Sequence, residues 1–449
     1  MTKLYCASWV LPITSAPIAS GAIAVDDDRI VAVDDATVLR AQFPQAVVRE
    51  FRDSAIIPGL INAHSHLELT VMRGFLENEE SDFFAWLRKL TIARLERMTE
   101  DDLYVSAAWG ACEAARAGVT CFADASDSGS TSMRALIDTG LRGIVFQESF
   151  GPDPKLVQEN FEKLQQKVAR LKELETDRVK YGVSPHAPYT VCGAQLEKIS
   201  QFAMDEQVPL MMHAAETEME VEFVRDGCGP FADGLRNRGI DWQSPNTTTI
   251  RYLERHGVLA AKPLLAHCIK VDETDLELLR ETKSSIAHCP KSNAKLGHGV
   301  APFADFLQRG IAVGFGSDSM ASNNNCDLLE EARVAGLLAR ATGNHEFINA
   351  QQLLLTSTTG AARAVGLQQQ IGELKEGLQA DFAVVSLHNA HQQPVYNVYD
   401  TLVFASSGRD VTTTVVAGRE VYSDGRINTA DEERLGARVR EVARKLSHR

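Results

Sequence analysis

The sequence predicts an α/β fold: a (β/α)8 (TIM) barrel with a small β-sandwich domain built from both chain ends. Three observations predict it. Between residues 58 and 365, eight short β-like runs alternate with helical patterns. Titratable residues stand at the C-terminal ends of most of these runs, where barrel active sites lie. The flanks, 1–57 and 366–449, read instead as strands and turns. An open, doubly wound sheet would gather its site at a single switch point.

In chain order, residues 1–57 are hairpin-like: Ala22–Val25 and Ile30–Val33 alternate around an acidic turn. The opening LYCASWVLPITSAPIASGAIAV has the small residues of a signal peptide, but Pro12 and Pro17 interrupt its apolar run and a hairpin pattern follows. The barrel strands are expected at 56–64, 119–124, 143–148, 179–186, 209–216, 263–269, 284–289 and 311–318. Helical patterns lie between them; VQENFEKLQQKVARLKEL (157–174) repeats apolar residues every three or four positions. Residues 368–425 return to strands and turns, and 431–447 form a charged amphipathic helix. The expected division is 1–57 and 366–449 for the sandwich and terminal helix, and 58–365 for the barrel.

Composition narrows the function. Apolar residues at 44% and charged residues at 24% suit a globular enzyme. A formal charge of −14, without a Lys/Arg cluster, argues against nucleic-acid or anionic-membrane partners. No run is long and apolar enough to span a membrane. The eight cysteines include no CxxC pair, which fits a reducing, cytoplasmic compartment.

The chemistry starts in PGLINAHSHLELTVMRGF (58–75). Residues i and i+2 of a strand share a face, so His64 and His66 can hold one ion together. His213 and Asp318, at the ends of the fifth and eighth runs, complete a set of three His and one Asp with an open position for water. A lone HxH is more often a pair of surface or capping histidines; four ligand types at strand ends are harder to reach by chance. Glu216, three residues after His213, is either a proton carrier in the same pocket or one of the solvated glutamates Glu218, Glu220 and Glu222. His267 and His288 lie in apolar runs, where a satisfied core histidine is the ordinary case. There is no HExxH, GxSxG or HxE with PCxxC. GCGPFA (227–232) follows an acidic helical stretch rather than a strand, so it is no dinucleotide site.

PGLINAHSH, SPHAPYT, HAAE, LLAHC, HCPKSNAKLGHG, GSDSMASNNN and GELKEGLQADFAVV together resemble the amidohydrolase superfamily. The branch is that of cytosine and guanine deaminases, S-adenosylhomocysteine deaminases and triazine chlorohydrolases. The resemblance implies that His64, His66, His213 and Asp318 hold one divalent metal, zinc first, with iron or manganese as alternatives. It makes Glu216 and His267 the proton-handling pair, with Asp318 and His267 orienting the attacking water, and sets His186 against the substrate heterocycle. His186 stands where binuclear members carry a lysine, which favours one metal ion. Glu68 and Arg73 are either substrate contacts or a structural pair. Burial in the closed mouth is expected to bring Glu216 towards working pH.

The implied activity is hydrolytic deamination of a small heterocyclic substrate. HLELTVMRG, FFAWLRKL and HAAETEMEVEFVRDGCGPF look most like the 6-aminodeoxyfutalosine deaminases, with S-adenosylhomocysteine or methylthioadenosine deamination second. A triazine or pterin aminohydrolase or chlorohydrolase is the alternative. Family resemblance also implies a homodimer.

Overall fold

The computed structural model describes residues 1–343 and 347–447; His448 and Arg449, the end of the expected C-terminal segment, lie outside the described residues. Eight parallel strands run Leu60–Ser65, Val119–Ser126, Arg142–Ser149, Val179–Pro185, Met211–Ala214, Leu264–His267, Ser285–His288 and Val313–Phe315. They pair in order as two four-stranded sheets. Single bridges, Val183 with Leu210 and Ser65 with Asp318, join the two sheets into a ring. All eight overlap the runs read from the sequence.

Alternation decides what enters the ring. Ile144 and Phe146 of the third strand, Met211 of the fifth, and Leu264 and Ala266 of the sixth belong to one apolar cluster inside it. Their neighbours Val145, Met212 and Leu265 face outward into the larger core. The helix Val157–Leu174 covers its strands with Phe161, Leu164, Val168 and Leu171, the buried stripe that its apolar period predicts.

The two chain ends meet in one continuous nine-stranded sheet. Val47–Pro58 pairs in parallel with Lys3–Val10 and antiparallel with Phe382–Ser386, which joins the N-terminal to the C-terminal strands. Gly21–Asp26 and Arg29–Asp35 form the hairpin around the acidic turn, with Asp27 at φ 50°. The terminal helix Glu432–Ser447 lies along Glu100–Arg116, where Lys445 reaches Asp102 at 2.9 Å.

One expectation needs correction. The run 56–64 is not a single barrel strand. Pro58 still pairs with Phe382, the Gly59 amide donates to the Asp381 carbonyl, and the Leu60 amide donates to the Gly118 carbonyl. The chain therefore leaves one sheet and enters the other at Gly59. A Cβ there would stand 2.2 Å from Thr120 Oγ1, so only glycine fits the crossing.

Among the described residues no helix is long and apolar enough to cross a membrane. All eight cysteines are unpaired.

Candidate active site at the barrel mouth

The strand ends deliver their polar residues to one place. The ligand-capable atoms of His64, His66 and His213 lie within 4.8 Å of one another, as do those of His64, His267 and Asp318. His66 Nε2 is 3.1 Å from His213 Nε2, and Asp318 Oδ1 is 3.4 Å from His64 Nε2 and 3.6 Å from His66 Nε2. The backbone is bent to reach this arrangement: His267 has φ 73° and Asp318 φ 56°, left-handed values rare outside glycine. At His267 the bend breaks the alternation after Ala266 and turns the imidazole into the mouth. Such conformations cluster at functional sites.

Hydrogen bonds fix which nitrogen faces inward. His213 Nδ1 donates to the His186 carbonyl at 2.9 Å, and His267 Nδ1 donates to Asn293 Oδ1 at 2.9 Å. The Nε2 atoms of both therefore face the cluster; burial would lower the His267 imidazole, but the Glu216 and Asp318 carboxylates outweigh it and raise it. His64 Nε2 is fully buried without a hydrogen-bond partner. Asp318 Oδ2 accepts from Ser292 and Ser322, which leaves Oδ1 to face the imidazoles. Lone pairs converging with a carboxylate oxygen, one nitrogen orphaned, are what a cation-binding site requires.

Electrostatics agree. Burial, the largest influence, lowers His64, His66 and His213 to about 4, so they are neutral and able to ligate at pH 7. Burial would raise Asp318, but the His64 and His267 imidazoles outweigh it and hold the carboxyl well below its usual range. Glu216 behaves the same way. Burial pushes it up, yet His267 at 3.8 Å and His298 at 3.3 Å pull it to about 2. The expectation that burial would bring Glu216 towards working pH is overturned by these two imidazoles.

A cavity of 740 Å³ opens above the cluster. It is lined by His66, Glu68, His186, His213, Glu216, His267 and Asp318, so most of the sequence candidates converge here. His186 lies beside His213, its ring 4.7 Å from that of Phe150. Apolar residues including Phe83, Phe84, Leu90 and Phe231 form the upper walls.

Arg73 is not brought to this cavity. Residues Leu67–Met72 coil as a short 3-10 helix, and Arg73 turns to Glu113 in a separate cleft with Trp109 and Tyr422. Nor does it pair with Glu68, which receives Arg94 Nε at 2.8 Å, Ser126 Oγ at 2.7 Å and the Ser128 amide at 3.0 Å. His288 is a buried histidine stacked on Phe303, lowered to about 3 chiefly by burial. Sequence reasoning missed His298 and Glu148. His298 stands in HCPKSNAKLGHG, one of the stretches that carry the resemblance, and Glu148 ends the third strand, where the strand-end rule points to it.

The Amidohydrolase family model matches residues 55–421, and an imidazolonepropionase-like composite domain of bacteria matches residues 21–46. A 5-methylthioadenosine/S-adenosylhomocysteine deaminase of Moorella thermoacetica is 32% identical over 434 residues, covering 96% of each chain. An adenosine deaminase of Xanthomonas campestris, solved with bound zinc, superposes with a TM-score of 0.87 at 26% identity, over 99% of this chain and 98% of that one. Helicobacter pylori aminofutalosine deaminase, solved with methylthio-coformycin, shares the fold: TM-score 0.76, 22% identity, 93% of this chain and 100% of that one. The family match runs from the crossing before the first barrel strand through the eighth and on into the end sheet, so the chain belongs to the amidohydrolase family.

Proposed function

We propose that this protein is a metal-dependent hydrolytic deaminase that releases ammonia from the adenine-type ring of a nucleoside. The observation that carries this reading is the convergence of inward-facing imidazole nitrogens on Asp318 Oδ1, with an ionised Glu216 beside them. The deaminase names of the relatives agree with it.

His64, His66, His213 and Asp318 would hold one divalent cation. Their nitrogen and carboxylate atoms suit zinc, with iron and manganese acceptable to the same donors. Bound there, such an ion supplies Lewis acidity that makes water nucleophilic near neutral pH. Glu216, ionised at working pH, accepts a proton from the attacking water and passes it to the ring nitrogen beside the amino-bearing carbon. His267, braced by Asn293, flanks the attacked carbon together with Asp318. The amino group then takes the remaining proton of the added hydroxyl and leaves as ammonia, and the ring carbon keeps the oxygen as a carbonyl. His186 and the aromatic walls hold the heterocycle and exclude water.

A cavity of 740 Å³ accommodates a nucleoside with a substituent. Arg88 and Arg238 line it from the exposed side, and their side chains have no hydrogen-bond or ion-pair partner among the described residues. Both guanidinium groups thus line the mouth of the same cavity, where a tail leaving it meets two cationic side chains. This supports a substrate whose 5′ tail ends in a carboxylate, with S-adenosylhomocysteine and 6-aminodeoxyfutalosine tested before methylthioadenosine.

Zinc-loaded protein should release ammonia from one of these nucleosides, and Arg88→Ala with Arg238→Ala should raise KM for a carboxylate-tailed substrate but not for methylthioadenosine. Zinc bound with no ammonia from any purine nucleoside would refute the reading.

A further inference from the structure

Five carboxylates line the cavity: Glu68, Asp127, Glu148, Glu216 and Asp318. Three are hydrogen-bonded by the protein and a fourth is held between two imidazoles. Glu68 meets Arg94 and Ser126, Asp127 meets Arg94 at 2.9 Å and Lys167, and Asp318 meets Ser292 and Ser322, while Glu216 lies 3.8 Å from His267 and 3.3 Å from His298 as an ion pair. Glu148 is the exception. It is 6% exposed, it continues the inward face of Ile144 and Phe146, and its buried Oε1 has no hydrogen-bond partner. A buried carboxyl left this way costs several kcal/mol in general, so a ligand that supplies donors is the natural resolution.

A second cation is not that ligand. Glu148, His186 and His213 lie within 4.8 Å of one another, but His213 Nδ1 is committed to the His186 carbonyl and its Nε2 to the first cluster. Two ligands remain, too few for a metal. The donor must come from the substrate.

Resting on the deaminase reading, we propose that Glu148 accepts hydrogen bonds from the vicinal 2′- and 3′-hydroxyls of the substrate ribose, and so makes the enzyme select ribonucleosides over deoxynucleosides and free bases. Two hydroxyls on adjacent carbons match the two oxygens of one carboxyl group. Depth rules out the tail: Glu148 lies on the floor beside His213, whereas the unpartnered arginines sit at the exposed mouth. An ammonium one carbon from a tail carboxylate would stay at the mouth with it. An ionised carboxylate accepts from both hydroxyls; a protonated one accepts from one and donates its own O–H to the other, so the pair of contacts holds in either state.

The test compares adenosine with 2′,3′-dideoxyadenosine, which differ only in the diol. Binding is measured by calorimetry in a Glu216→Gln background, where turnover does not interfere, and kcat and KM are measured in the otherwise native enzyme. The protein should bind adenosine about 10- to 100-fold more tightly than the dideoxy compound. Glu148→Leu should erase that ratio by weakening adenosine alone, and Glu148→Gln should reduce it, with the loss in KM rather than kcat. A ratio near one in the unsubstituted protein overturns the proposal, and that measurement needs no Glu148 variant to fold. So does a ratio that survives Glu148→Leu, or an equal loss of kcat on both substrates, which would place the carboxyl at the base. Ammonia release with a ratio near one sinks this inference alone. A diol preference without ammonia from any nucleoside sinks the deaminase reading and leaves this one standing.

Discussion

Two groups of buried polar residues occupy opposite ends of the barrel, and they are finished differently. At the N-terminal end, Arg142 opens the third strand and Asp381 precedes a strand of the end sheet; their side chains are 2% and 1% exposed. Arg142 Nε and Nη2 meet the two Asp381 oxygens at 2.9 and 3.2 Å, Gln379 accepts a further bond from Arg142, and the Ala417 amide donates to Asp381 at 2.8 Å. Each partner is supplied by the protein. At the C-terminal end, His64 Nε2 and Glu148 Oε1 are equally buried and have none. Both ends carry the cost of desolvation; only the first recovers it through internal bonds. Buried polarity by itself therefore does not mark function. Atoms left over also occur at Ser200 and Tyr399, so the mark of a site is leftover atoms that converge on one cavity.

That comparison can be broken by substitution at either end. His66→Ala or Asp318→Ala should lower kcat/KM by more than ~10³-fold, beyond the 10–100-fold usual for residues that only brace a ligand, and bound zinc should fall with it. Thermal unfolding without metal should stay close to the unsubstituted protein. A large drop in Tm in the metal-free protein would mean that these histidines are structural after all. Arg142→Met should do the reverse. It strands Asp381 and should cost about 3–5 kcal/mol, seen as a Tm lower by several degrees, while kcat per folded molecule stays within about twofold. Equal damage to kcat would couple the two ends and dissolve the distinction.

A smaller effect sharpens it. Glu331 is fully buried on the helix Leu328–Thr342, and burial raises it from 4.5 to about 7 against the help of Lys291 and Asn323. Between those two values the folded protein holds a proton that the unfolded chain releases. Stability from this group is therefore full below about pH 4.5 and is lost as pH rises through about 7. Glu331→Gln should flatten that slope, so the Tm of the unsubstituted protein relative to the variant should be higher at pH 5 than at pH 8. A difference that does not change with pH would show that Glu331 is ionised in the fold, as Glu216 is.

Much of this was legible in the chain because barrels keep chemistry at strand ends, and period-two runs ending in His, Glu or Asp are easy to read. His64, His66, His213 and Asp318 came from that rule, and the structure gathers them. The rule also marks Glu148, at the end of GIVFQE, although one acidic residue carries no pattern of its own. Three features were not legible. Ile56–Ile61 reads as one apolar run because hydrophobicity does not record a change of pairing partner at Gly59. Glu68 and Arg73 look like neighbours in sequence, but the short 3-10 helix sends one to Arg94 and the other to Glu113. The depressed Glu216 depends on His298, 82 residues away by number, and only tertiary contact brings them within 3.3 Å.

The crossing at Gly59 has a consequence for inheritance and for engineering. One stretch of backbone, Val47–Ser65, is stitched into two sheets, so its position along its own axis is set twice. A residue inserted before Gly59 slips the stretch against Phe382–Ser386; a residue inserted after it rotates His64 and His66 to the opposite face. The ends of the chain thus act as a ruler for His64 and His66 at the barrel mouth. A barrel transplanted without that ruler would keep its residues and lose their address, and the smallest portable part of the active site includes strands that never touch it.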